Sequence, residues 1–190
     1  MEDLMNEDRA FEKRVVPDGS FPGRTFEQCT FNRCDLARAD FAKSKFMDCS
    51  FTGCDLSMVK LRGVSMQNVA FTECKLLGID FSACSEMLFS VRFDNCALDH
   101  SVFVKRKMPK TRFSKCSMKG VDLSEAGLDE GLFDQCDLRD AVFDSTQLRK
   151  ADLTTAYHFQ IDPDRNHLKG ARFSAEGALS LLGKYGVVVG

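Results

Sequence analysis

The sequence lacks most of the residues on which site chemistry depends. It has three histidines, His100, His158 and His167, and their spacing matches no metal site. The 13 glycines are scattered, so no phosphate loop is formed. Tryptophan is absent, and the basic run Lys105-Arg106-Lys107 has no aromatics interleaved with it, which argues against direct nucleic-acid binding. No apolar run approaches the roughly 18 residues of a membrane helix. Met1 to Arg14 alternate acids and bases where an export signal would need an apolar stretch. The cysteines are odd in number, nine, and none forms a C-x-x-C pair. These absences point away from an enzyme, a cofactor or metal site and a membrane span, and toward the cytoplasm. The net charge of −2 names no partner class.

What the chain does have is a beat. From Phe21 through Phe81, every fifth residue is Phe, Leu or Met, thirteen times in succession, and Phe93 through Leu153 repeat the run thirteen times more. Two residues before each beat stands a second, usually smaller residue, most often Cys, Ala, Val, Ser or Thr. A period of five fits neither a helix nor a flat strand. It describes a short extended segment and a turn, repeated, with two inward residues in each unit. Such a chain is a solenoid whose function lies on its outer surface.

The cysteines give the size of a coil. Cys34, Cys54, Cys74, Cys96, Cys116 and Cys136 follow one another at 20, 20, 22, 20 and 20 residues, and Cys29 and Cys49 are also 20 apart. Twenty residues per turn means four pentapeptides per turn and a four-sided coil. The single spacing of 22 locates a two-residue insertion within Ser85–Ser90, where Met87, Leu88 and Phe89 form a bulge. These three either contact a partner or fold back onto the coil. Stacked inward thiols suit neither disulfide torsions nor tetrahedral zinc, so the cysteines are expected to be reduced, buried and slow to react.

The expected architecture is an all-β solenoid of about seven coils, roughly 34 Å long at strand spacing, with a short C-terminal helix. Phe11 and Val16 continue the phase upstream, so residues 10–20 read as an N-terminal cap, with residues 1–8 frayed; the first 20 residues form a tail and cap. The β-helix proper spans residues 21–173. Ser174 reads as a helix N-cap, with Glu176 in the first turn. Gly183 or Gly186 ends a helix of about ten residues, too short to stand alone. Val187-Val188-Val189 reads as a strand, closing a C-terminal unit over residues 174–190.

Charge is distributed in belts. Lys105, Arg106, Lys107, Lys110, Arg112, Lys115 and Lys119 occur with no acid between Ser101 and Gly120. Asp122, Glu125, Asp129, Glu130, Asp134, Asp137, Asp140 and Asp144 follow, opposed only by Arg139. Residues 20 apart should stack, so Lys105 faces Glu125 and Lys110 faces Glu130. Two readings are open: inter-coil ion pairs of about 0–1 kcal/mol each, or an acidic surface that recruits a basic partner.

The repeat over residues 21–173 resembles that of the pentapeptide-repeat proteins, which implies a right-handed quadrilateral β-helix. A narrower likeness lies in Ile161-Asp162-Pro163, Asn166, Leu168, Ala171-Arg172-Phe173-Ser174, Leu181-Leu182 and Gly186-Val187-Val188-Val189, and in Cys29 to Leu56. The C-terminal run is similar to the end of the albicidin-resistance and microcin-immunity members, and Cys29 to Leu56 to the albicidin-resistance member; both are relatives of the Qnr quinolone-resistance proteins. The resemblance implies a homodimer joined by its C-terminal segment and acting as a DNA mimic on DNA gyrase or topoisomerase IV, protecting the enzyme from antibiotics. It places the dimer contacts at Leu179, Leu181, Leu182, Tyr185, Val187, Val188 and Val189. It brings two acidic coils together at the middle of the rod, with Met87, Leu88 and Phe89 as further candidates for partner contact.

Overall fold

The computed structural model of the protein describes residues 5–187. The pentapeptide dictates its local shape. The beat residue and the residue two before it point inward, and the residue two after the beat turns the corner in the left-handed region. Lys105 (φ 59°), Lys110 (φ 61°), Glu125 (φ 57°) and Glu130 (φ 58°) all sit at such corners. The left-handed region disfavours a Cβ, so glycine takes several corners. Gly120 (φ 61°) has a second reason, because a Cβ there would lie 2.7 Å from Nδ1 of His100 in the preceding coil. Aspartate recurs just before many beats for another local reason. Oδ1 of Asp35, Asp55, Asp122, Asp137 and Asp152 accepts the N–H two residues on, at 2.9–3.2 Å, closing an Asx turn.

The strands are short and all parallel. They are β1 (Met5–Glu7), β2 (Ala10–Glu12), β3 (Thr25–Glu27), β4 (Thr30–Asn32), β5 (Lys45–Met47), β6 (Ser50–Thr52) and β7 (Ser65–Gln67). After them come β8 (Val69–Thr72), β9 (Val91–Asp94), β10 (Arg112–Ser114), β11 (Leu132–Asp134), β12 (Asp152–Leu153) and β13 (Arg172–Phe173). One face is the sheet β1-β3-β5-β7, and the next is the nine-stranded sheet running from β2 to β13. The two remaining faces are files of single bridges, Val15↔Asp35↔Asp55↔Lys75↔Ala97↔Ser117↔Asp137↔Tyr157 and, among others, Asp80↔Val102↔Asp122↔Val142. Register advances by 20 at each coil, as Phe113↔Phe133 does, and by 22 from Phe71 to Phe93. Nine strands in one ladder give eight rises of 4.8 Å, a rod about 38 Å long, one coil longer than the repeat count implied.

The extra coil is at the N-terminus. Residues 5–8 are not frayed, and residues 10–20 are not a separate cap: β1 and β2 pair with β3 and β4 as an ordinary coil. Its beat position holds a polar residue, Asn6, which is buried and whose Oδ1 accepts from Arg9 at 3.2 Å. The apolar periodicity therefore hides this coil.

Inside, the beat residues stack in columns. Phe31, Phe51, Phe71, Phe93, Phe113 and Phe133 form one column with ring centroids 4.4–5.3 Å apart and near-parallel planes. Each such burial contributes about 1.5–3 kcal/mol, and it requires the neighbouring coil. All nine cysteines are free and buried. Burial pushes the Cys49 thiol up to about 11 and that of Cys84 to about 12. Hydrogen bonding to the next thiol of the file raises Cys96 and Cys116 to about 12. Cys136 goes the other way, lowered by its hydrogen bond with Cys116, yet it is fully closed to solvent.

Ser174 caps the C-terminal helix as its sequence implies, its Oγ accepting from Gly177 N–H at 2.9 Å. The helix α1 (Ala175–Ser180) is only six residues long, and a 3-10 turn at Gly183–Tyr185 follows before Gly186 reverses the chain at φ 65°. Neither segment contains a buried residue. Among the described residues, no helix is long and apolar enough to cross a membrane.

Candidate partner-binding surfaces

The eight acids of the expected belt encircle the rod rather than collecting on one side. Asp122 lies on one bridge file, Asp137 on the next, and Asp134 on the nine-stranded sheet. Five of the eight have cationic partners in adjacent coils. Glu125 meets Lys105 at 3.6 Å and Glu130 meets Lys110 at 3.7 Å, as the 20-residue stacking requires. Asp129 pairs with Arg149 at 3.1 Å, Asp144 with Arg165 at 2.7 Å, and Asp137 with Lys119 at 3.6 Å and His158 at 2.9 Å. Asp137 is buried, which opposes its ionisation. Hydrogen bonds from His158 and the Arg139 amide outweigh that cost and hold its carboxyl below the usual range.

That leaves Asp122, Asp134 and Asp140 without a cationic partner among the described residues. Asp134 accepts instead from the hydroxyls of Ser114 (3.1 Å) and Thr155 (3.0 Å). The belt thus has two parts: acids that knit coils together, and three acids whose charge faces solvent uncompensated.

The bulge divides in two as well. Met87 and Leu88 are 73% and 68% exposed, so they stand clear of the coil. Phe89 does not join them. It is buried, with the Arg106 guanidinium 4.8 Å above its ring, because it takes the inward place that Glu86 cannot fill. Phe89 is therefore corrected from a surface residue to a core residue.

Arg106 needs the same correction. It belongs to the basic run, but it occupies the inward slot two before a beat and is only 3% exposed. The insertion explains this. On this face, each coil normally donates a backbone N–H to the coil before it, as Ser85 does to Val64 O and Gly127 to Arg106 O. Beside the two extra residues, Ala83 O still accepts from Gly63 N–H, whereas the carbonyls of Ser82, Cys84 and Ser85 accept no inter-coil backbone N–H among the described residues. The Arg106 guanidinium serves them instead, donating to Ser82 O (2.5 Å), Cys84 O (2.8 Å) and Ser85 O (3.1 Å). A long cationic residue in a slot otherwise held mostly by Cys, Ala, Ser, Thr or Val, one coil after an insertion, was the available sequence signal.

At the C-terminal end, α1 and the 3-10 turn lie across the last coil over a cleft of about 940 Å³, lined by Phe143, Phe159, Ile161, Leu181, Arg139 and Lys184 among others. Leu181 packs against the chain's own core. Leu179, Leu182, Tyr185 and Val187 are exposed. Val188 and Val189 lie outside the described residues. Lys184 anchors the segment, bonding to Asp162 and, at 2.6 Å, to Asp164, which also accepts from Tyr185 Oη at 3.0 Å. Lys184 lowers both carboxyls and is itself raised by them. Among the described residues, no group of His, Cys, Asp and Glu is placed to hold a metal.

Comparison with known proteins agrees with this architecture. The profile of the pentapeptide repeat region matches residues 24–85 and 86–162. No curated protein sequence matches the chain. Among solved structures, the chain is similar to a trypsin-treated variant of QnrB1, a plasmid-mediated fluoroquinolone resistance protein, at 21% identity and a TM-score of 0.64, covering 95% of this chain and 99% of that one. Full-length QnrB1 superposes with a TM-score of 0.53 at 21% identity, covering 96% of this chain and 100% of that one.

Proposed function

Because the chain belongs to the pentapeptide-repeat family, we propose that it is a non-catalytic cytoplasmic protein. In this reading it occupies a type II topoisomerase, DNA gyrase or topoisomerase IV, in place of DNA and protects it from an inhibitor. The observation that carries the reading is an acidic belt beside a C-terminal segment whose Leu179, Leu182, Tyr185 and Val187 are exposed, at one end of a rod. A second copy joined through Leu179, Leu182, Tyr185 and Val187 would set two belts side by side at the centre of a longer rod. Asp122, Asp134 and Asp140 would then supply the field that draws a basic, DNA-binding surface. The likeness to QnrB1 over the whole of both chains supports the choice of partner class.

A titration of the protein into gyrase supercoiling and cleavage assays, with and without a quinolone or albicidin, tests this. Restored supercoiling with fewer cleavage complexes is expected, and Asp122→Asn/Asp134→Asn/Asp140→Asn should weaken it. A confirmed dimer that leaves both assays unchanged would defeat the proposal. The five acids engaged in inter-coil pairs favour a second reading, a protein-interaction scaffold whose belts are structural. That reading predicts no effect on gyrase.

A further inference from the structure

The two-residue insertion is expensive to build and has no role in closing the coil. Leu88 stands at a left-handed corner (φ 56°) like those of the regular coils. The insertion draws a guanidinium into the core and leaves Arg106 Nε with no hydrogen-bond partner. Its product is a pair of adjacent large apolar side chains, Met87 and Leu88, both more than two-thirds exposed. Arg106 fastens the base of this knob to three carbonyls.

The surroundings of the knob are charged. Ser90 O, two residues past Leu88, accepts from Val69 N–H, and the adjacent Asn68 accepts from Arg92 Nη1 at 2.9 Å. Arg92 is in register with Arg112 on the next strand, like charges directly opposed on an open sheet face. Lys107 follows Arg106 on the other side. Arg92, Lys107, Arg112 and Lys115 form no ion pair among the described residues, whereas Lys105, Lys110 and Lys119 do. Glu86, Asp94 and Asp134 are nearby acids, the last two in register with Ser114 between Arg112 and Lys115, so four cations against three acids leave a small local excess of positive charge.

We propose that this knob and its basic flank form a docking surface for an acidic protein segment, in which carboxylates surround one or two apolar residues. The apolar pair of the segment would pack on Met87 and Leu88, and its carboxylates would relieve the Arg92–Arg112 opposition. This partner has the opposite charge to the one that the acidic belt would attract, so the surface stands independently of the topoisomerase reading.

The probe is a fluorescein-labelled peptide in which Glu and Asp surround two adjacent leucines, titrated with the full chain by fluorescence anisotropy. Binding that weakens with salt is expected, with about a tenfold loss in Met87→Ser/Leu88→Ser and a similar loss in Arg92→Gln/Arg112→Gln. Both changes are on the surface, and circular dichroism checks that the coil is intact. Equal binding of the peptide with its leucines changed to serine would overturn the proposal. So would tighter retention of duplex DNA or of phosphatidylserine vesicles, or failure of the acidic peptide to bind at all.

Discussion

Replacing Arg106 with serine should unfasten the bulge, and the cost follows from its contacts. Three carbonyls lose a charged donor, but those of Ser82 and Ser85 lie near solvent, and water can replace it. Cys84 O is buried, and leaving it unsatisfied costs about 1–3 kcal/mol. Losing the cation–π contact with Phe89 adds about 0.5–2 kcal/mol. The sum, about 1.5–5 kcal/mol, is a large part of a typical domain's stability. Removing Glu86 and Met87 instead would restore the 20-residue spacing and set Leu88 two residues after Cys84, at the beat. Alone, this deletion should also destabilise, because the closed coil has no room for the guanidinium. Combined with Arg106→Ser, it should recover most of the loss, a strong coupling between neighbours. Urea unfolding of the three variants, with hydrogen exchange read across residues 82–90, measures this. If Arg106→Ser costs under about 0.5 kcal/mol, or the losses simply add in the combined variant, the reasoning is refuted.

The thiols should resist a disulfide reagent at pH 8 in native protein and react rapidly once unfolded; prompt native labelling of most of the nine would contradict their burial. Two carboxyls should tie stability to pH. Asp152, through its hydrogen bond with Thr154, and Asp137, through His158 and the Arg139 amide against the cost of burial, both lie below the ordinary range. Their folded pKa values are depressed, so their contribution is complete above about pH 4 and is lost as pH falls through the folded values. Thermal melts from pH 6 to pH 2 should show the loss, and Asp137→Asn/Asp152→Asn should flatten it. At the C-terminus, Leu182→Asp should yield a folded monomer by light scattering. Leu181→Asp should lower the melting temperature, because Leu181 packs on its own chain.

The solenoid was legible because its rule is local and repeated. A pentapeptide must turn two residues inward, and twenty residues must close a four-sided coil, so cysteines 20 apart stack and Lys105 finds Glu125. The missed coil shows the limit of that rule. Asn6 stands at a beat position, held by a local hydrogen bond from Arg9 and one to Thr25 O of the next coil, and an apolar pattern does not count a polar beat. The belts show a related limit: of their two open readings, the inter-coil pairs are seen directly for five of the eight acids. Counting charge along a segment treats it as a patch, whereas four pentapeptides carry it around all sides of the rod. Partners above and below then neutralise most of what the count had gathered.

The sequence by itself determined the repeat, the coil size, the place of the insertion, the helix cap and the inter-coil charge pairs. Each of these depends on residues at a fixed separation along the chain. Only the tertiary structure decided which side of a boundary a side chain occupies. Arg106 and Phe89 are inside because two extra residues displaced backbone carbonyls that a guanidinium could reach from the next coil. Met87 and Leu88 are outside because the coil had no inward place left for them. Asp122, Asp134 and Asp140 remain uncompensated because the neighbouring coils place no cation within reach, and that depends on how eight rises of the chain bring distant residues side by side.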